Sequence, residues 1–403
     1  MIQKSYEKRK FMIRIELPES INYFRLRREY LERIAKYVQF DEKDILPDKT
    51  SSGEGKTEAT AMDLKENFHS LYQFLFDEGS GRVKTENLGW LLAGPDIPPE
   101  SFGGMNGFRT MHESLKAIIN QCKLGENEDI KTVKDVCKKI FDYHKFVKEQ
   151  DEAYWLLRTL KVRVCPYCNR VYTLTLPTRK ELESGEEFKT TRATYDHFYS
   201  QSQYPYLSLS LFNLVPSCNI CNSNKNNKSK EIIYPYDEEF GKNAVFRLIP
   251  DLKRVHEGDN VFGFLTGESD KFHVRLMGKD MVSLLEDSSL KFRLTDIKKA
   301  DYQERIINSM QTFYLEQLYN ELKPEIRDIL RNRYYFNDEY IKSVICPLLE
   351  KQLSEDGKNV SEEQIWYMAM DMLFCTRLRQ EEWKERPLSK LTADILEYID
   401  IKK

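Results

Sequence analysis

The chain has 403 residues, enough for two or three domains or for one domain with large extensions. Hydrophobic residues make up 40% and aromatic residues 12%, which supplies a packed core and excludes wholesale disorder. The formal net charge of −3 excludes a globally basic nucleic-acid binder, so any attraction for phosphates has to come from a local patch.

In chain order, the N-terminal stretch MIQKSYEKRKFMIRIELPES is basic and lacks the apolar run of a signal peptide. No stretch of about eighteen apolar residues follows anywhere, so no membrane span is expected. Residues 1–150 read as a mainly helical N-terminal extension. Leu31, Ile34 and Val38 fall on one helical face, and the polar stretch LPDKTSSGEGKTEATAMD then interrupts the pattern. Its SGEGKT string, 52–57, has Thr50 where a phosphate-binding loop needs its first glycine, and no strand precedes it, so a polar loop is expected. AGPDIPPESFGGMNGF reads as a second loop. Two helical stripes follow: Met111, Leu115, Ile118 and Cys122, then Val133, Cys137, Ile140 and His144.

Residues 151–240 change character. The β-branched and aromatic strings VYTLTL and FKTTRATYDHF flank a polar stretch containing Ser184-Gly185 and read as a long hairpin. NLVPSC then leads into the Lys- and Asn-rich NICNSNKNNKSK. In the last region, 241–403, NAVFRLIP, VFGFLTG and FHVRLMG are expected to add a few strands. The remainder reads as helical, with stripes at Ile307, Met310, Tyr314, Leu318 and Leu322 and at Ile365, Met368, Met372 and Cys375. RPLSKLTADIL reads as a loop entering a last helix, with Ser389 a candidate cap and a partner contact open to it. The fold class expected is α+β.

Eight cysteines are too few for a secreted disulfide scaffold, so a cytoplasmic setting is expected, where paired Cys-x-x-Cys motifs point to metal. Cys165-x-x-Cys168 and Cys218-x-x-Cys221 offer four thiolates in two tight pairs, suited to a structural, tetrahedral zinc with no open position. A redox dithiol would leave the second pair unexplained, and core cysteines do not sit beside Asn169, Asn219 and Asn222. Cys122, Cys137, Cys346 and Cys375 read instead as core residues. His144 is expected on a buried or half-buried face, while His69, His112, His256 and His273 show no partner pattern.

Between the cysteine pairs lie Asp196-His197 and Asn213, and Asn222 and Lys225 follow the second pair. In this order the sequence resembles the HNH nuclease family over roughly residues 160–235. The resemblance implies a ββα-metal module, a hairpin followed by a helix, braced in many members by a four-cysteine zinc. It implies hydrolysis of phosphodiester bonds in nucleic acid, with DNA the expected substrate. His197, the single histidine between the pairs, is the natural general base, since imidazole titrates near neutrality. Asp196 and Asn222 supply hard oxygens for a catalytic divalent cation, Mg²⁺ or Mn²⁺. Asn222 stands where many members carry a second histidine, which favours a hard metal. The resemblance makes Asn213 the residue that fixes the histidine-bearing loop. Lys225, one helical turn from Asn222, is expected to contact a phosphate, with Lys228 and Lys230 extending the basic face. The layout also resembles HNH components of prokaryotic antiphage systems of the Septu or retron-linked type, which implies a partner ATPase. The reading from another class is a non-catalytic zinc module that binds nucleic acid or protein.

Overall fold

Asn22 opens the first helix by accepting the backbone N–H groups of Phe24 and Arg25, and α1 runs Tyr23–Ile34. The computed structural model describes residues 15, 22–48, 55–97, 110–149, 151–176, 192–226, 230–240, 243–260, 262–278 and 297–400. Tyr23, Leu26, Tyr30, Leu31 and Ile34 recur at helical spacing and are the buried face of α1. Val38 lies past its end, in an isolated antiparallel bridge with Phe141.

The polar stretch expected as a loop is helical from Lys56. Gly55, at φ 72, precedes α2 (Lys56–Asn67). The Thr57 hydroxyl donates to Asp44 Oδ2 at 2.6 Å and accepts the Asp41 N–H. These acidic partners anchor the helix start, which the low apolar content concealed. Next come α3 (His69–Leu75), α4 (Thr85–Ala93), α5 (Met111–Gln121), α6 (Ile130–Ile140), α7 (Tyr143–Glu149) and α8 (Asp151–Leu160). Thr110 caps α5 and Asp129 caps α6, each accepting an N–H of its own first turn. Met111, Leu115, Ile118 and Cys122 are buried, as are Val133, Cys137 and Ile140. His144 is exposed instead, because α6 ends at Ile140 and Phe141 leaves the helical conformation, so the stripe does not continue.

β1 (Thr194–His197) pairs antiparallel with β2 (Leu214–Ser217), with Asp196 opposite Val215 and His197 opposite Leu214. The long hairpin expected from VYTLTL is therefore not the pairing found. Among the described residues, 171–176 hold one bridge, Val164 to Tyr172, and residues 177–191 lie outside the description. α9 (Asn219–Lys225) follows β2 directly. β3 (Ala244–Pro250) and β4 (Phe272–Gly278) form a second antiparallel pair, while VFGFLTG contributes a 3₁₀ turn at Gly263–Thr266.

The longer helices that follow are α10 (Ile297–Thr312), α11 (Leu315–Asn320), α12 (Lys323–Tyr335), α13 (Cys346–Glu355), α14 (Glu362–Leu373) and α15 (Ser389–Asp400), and short helical turns at Glu42–Ile45 and Asp338–Tyr340 add to the set. Tyr314, exposed, sits at φ 51 between α10 and α11 and interrupts the helical phase, and Ile307 lies on the outer face of α10. The buried residues there are Ile306, Ser309, Phe313, Leu315 and Tyr319. In α14 the inward residues include Ile365, Ala369 and Met370; Met372 and Cys375 face solvent. Cys375 lies beyond the helix end at φ 47, which turns it off the expected stripe.

RPLSKLTADIL does not present a free surface. Ser389, Lys390, Leu391, Thr392, Asp394, Ile395 and Leu396 are buried. Ser389 is the first residue of α15, and its hydroxyl donates to the Arg386 carbonyl. One hydrophobic cluster runs from Ile15 to Leu396, so the helical regions on either side of residues 151–240 share its core. The architecture is α+β, mainly helical, with two small two-stranded sheets among the described residues.

Candidate active site

The first cysteine pair sits in a tight turn. Cys165 N–H donates to the Val171 carbonyl, and Asn169, at φ 47, donates its N–H to the Cys165 carbonyl. The second pair begins α9, where Cys218 Sγ accepts the Cys221 N–H. The four sulfurs lie within 4.8 Å of one another. A tetrahedral zinc with Zn–S of about 2.3 Å requires S–S separations of roughly 3.8 Å, so the cluster has the size and donor chemistry of a metal site. Cys165, Cys168 and Cys221 are buried and Cys218 is half-buried. Burial pushes the Cys165 thiol well above its ordinary range, and a bound dication supplies the compensation that turns such thiols into thiolates.

Large side chains and the last helix hold this turn in place. Tyr167 stacks on Phe313 at 4.4 Å between ring centroids. Asn169 accepts the N–H of Leu388 on its carbonyl and that of Lys390 on its side chain, and its amide donates to the Trp383 carbonyl.

Tyr167 also donates its hydroxyl to Asp196 Oδ2 at 2.5 Å. Burial raises the phenol's pKa well above the ordinary value, so it remains a donor. Asp196, 3% exposed, is further bonded by Lys225 Nζ, 3.0 Å from Oδ1 and 2.9 Å from Oδ2. Lys225 Nζ also donates to the His197 carbonyl at 2.5 Å. The ammonium expected to meet a phosphate is therefore buried against Asp196. One turn earlier on α9, the Asn222 amide donates to the Tyr195 carbonyl at 3.4 Å. Residues 227–229, with Lys228 among them, lie outside the description, and Lys230 Nζ bonds Gln311.

His197 is held from the other side. Its Nε2 lies 3.0 Å from the Ser208 carbonyl. A carbonyl only accepts, so Nε2 carries the proton and Nδ1 keeps its lone pair. The ring also meets Tyr143 edge-on at 4.5 Å. Burial lowers the imidazole's pKa from its ordinary 6.5, partly opposed by the Ser208 hydrogen bond and the Asp196 charge, which keeps the ring neutral at physiological pH.

Asn213, fully buried, shapes the loop that carries Ser208. Its side-chain oxygen accepts the Tyr199 N–H at 2.7 Å, and its amide donates to the Tyr199 and Leu207 carbonyls at 3.1 and 3.0 Å. The loop is thereby closed across fourteen residues, and Ser208 is presented to His197.

Lys225 thus meets Asp196 where α9 lies against β1, and Asn222 reaches the neighbouring Tyr195 carbonyl, while the His197 ring turns to the loop. Adjacent strand residues point to opposite faces, which separates Asp196 from His197. Tyr167 and Ser208 escaped sequence reasoning. Tyr167 had one signal, its place between the first two cysteines; Ser208 acts through its backbone and had none. His112, without a pattern in the sequence, is buried with its Nε2 2.8 Å from the Tyr199 hydroxyl and its ring stacked on Tyr234.

Both Asp196 oxygens are engaged within the protein, by the Lys225 ammonium and the Tyr167 hydroxyl. Among the described residues, no helix is long and apolar enough to cross a membrane. Comparison with family models, curated proteins and solved structures returns no match.

Proposed function

We propose that the protein is a metal-dependent endonuclease that hydrolyses phosphodiester bonds of nucleic acid, with DNA as substrate, and that a zinc ion braced by Cys165, Cys168, Cys218 and Cys221 holds the site together. The observation that carries the reading is the antiparallel pair β1–β2 running directly into α9. It joins Asp196 to Lys225 and sets Asn222 one turn earlier on α9, while His197, the next residue of the strand, keeps its Nδ1 as the accepting nitrogen.

In this reading His197 Nδ1 takes a proton from the attacking water while the Ser208 carbonyl holds Nε2–H and fixes the ring's orientation. Asn213 keeps that carbonyl in place. Asp196 and Asn222 would hold a Mg²⁺ or Mn²⁺ ion, which when bound supplies charge neutralisation at the phosphate. Tyr167 orients Asp196 from the zinc-binding turn, so the structural cluster and the reactive residues form one rigid unit. The resemblance to antiphage nucleases extends the proposal to a defence effector held by a partner ATPase.

The test is cleavage of plasmid and single-stranded DNA by the purified chain with Mg²⁺ or Mn²⁺, against His197→Ala. Loss of about 100-fold or more in the variant is expected for a general base. Equal cutting by the variant, or no cutting by the wild type with any metal, overturns the mechanism. A second reading, a zinc module that binds without cutting, is favoured by one observation: Lys225 and Tyr167 already occupy the Asp196 oxygens.

A further inference from the structure

Lys225 Nζ is held by three oxygens: the two of Asp196, at 3.0 and 2.9 Å, and the His197 carbonyl, at 2.5 Å. A carboxylate and a carbonyl closing on one positive centre is the arrangement of a cation site, with an ammonium as its occupant. Both side chains are almost fully buried, at 4% and 5% exposure. Lys225 also borders a cavity of about 150 Å³, whose other walls include Tyr199, Ser200, Gln203, Lys230 and Glu231, the last paired with Lys116. The space next to the lysine is lined by hydroxyl, amide and carboxylate groups on one side.

We infer that Lys225 is the resident cation of the Asp196 site, and that a divalent ion binds there by displacing the ammonium into this cavity. Lys225 is then a positioning residue: it keeps the carboxylate charged and in place before metal arrives, and it sets how tightly metal must bind to replace it. Two positive centres within a few ångströms repel strongly in a buried setting, so occupancy is exclusive. The alternative, a lysine that only braces α9 against β1, predicts that removing it weakens the site. The inference rests on Asp196 as the cation ligand of the proposed nuclease.

Mn²⁺ binding to the zinc-loaded full chain, followed by electron paramagnetic resonance, separates these outcomes. Lys225→Met and Lys225→Gln should bind Mn²⁺ at least about tenfold more tightly than the wild type, and Asp196→Ala should bind none at that site. In the wild type, acetylation of Lys225, read by mass spectrometry, should rise with saturating Mn²⁺. This arm needs no substitution and stands if the variants fail to fold. If Asp196→Ala abolishes binding but both lysine variants bind no more tightly, or Lys225 stays protected at saturating Mn²⁺, the inference falls and Asp196 remains a ligand. If no form binds Mn²⁺, the lysine variants included, the inference and the cation site fall together.

Discussion

Among the described residues two lysine–aspartate pairs are buried, and they are built differently. Lys390 and Asp394 lie one turn apart on α15, 2.8 Å between Nζ and Oδ2, with side chains 1% and 5% exposed. Asp394 also accepts the Phe246 N–H, and the Lys390 ammonium lies over the Trp383 and Phe246 rings. Burial raises the Asp394 pKa, with Lys390 opposing. Lys225 and Asp196 instead join a helix to a strand and share their charges with the His197 carbonyl and Tyr167, and Lys225 borders a cavity. Buried ion pairs commonly return little net stability over apolar replacements. The first pair closes one helix against β3. The second couples separate elements in the place where an exchangeable cation is proposed.

The largest effect should erase the comparison altogether. Cys218→Ser with Cys221→Ser removes half of the cluster that anchors α9, and α15 docks on the Asn169 turn of the other half. Zinc measured by elemental analysis should fall from one per chain to none, and the cooperative melt should collapse, a loss on the order of 10 kcal/mol where folding depends on structural zinc. Retained cooperative melting would separate the cluster from the stability of either pair.

Breaking each pair by one partner comes next. Asp394→Ala should cost about 3–5 kcal/mol by thermal or chemical denaturation, since it strands a buried ammonium. The apolar double variant Lys390→Met/Asp394→Leu should recover most of that and leave cleavage unchanged. Lys225→Met/Asp196→Leu should recover stability likewise, yet lose cleavage. Equal behaviour of the two double variants would mean that both pairs are merely structural.

A smaller effect concerns the loop beside the second pair. Burial lowers the pKa of His112, which meets Tyr199, from 6.5 to about 3, with Lys116 and Arg305 adding to the shift. The unfolded chain takes up this proton first, so stability falls as pH drops from about 6.5 towards 3, by up to about 1.4 kcal/mol per pH unit. His112→Gln should flatten that slope in pH-dependent melts; an unchanged slope would assign the loss to other groups. The smallest effect expected is Tyr167→Phe, which removes one hydrogen bond to a charged carboxylate, about 1.5 kcal/mol in melting. It should leave zinc content intact, a result that distinguishes the Asp196 contact from the cysteine turn.

Much of the site was legible in residue types and spacing. Four thiols in two pairs pointed to a cysteine cluster able to hold a metal before any geometry, because few other side chains bind soft metals at that spacing. Ser208 was illegible because its part is played by a backbone carbonyl, and His112 because its partner lies 87 residues away. The helical stripes failed at Phe141, which ended α6 before His144, and at Tyr314, whose left-handed backbone broke the run between α10 and α11.

The sequence by itself determined the donor chemistry: which side chains carry sulfur, carboxylate, imidazole and ammonium, and that the two cysteine pairs bracket Asp196 and His197. It also determined the helical bias, since periodic apolar residues need no distant partner to favour a helix. Only the tertiary structure decided which strand pairs with β1, which way the His197 ring turns, and that Lys225 is spent on Asp196. Those outcomes depend on contacts between residues far apart in the chain, where burial and the need to satisfy every buried charge override local preference.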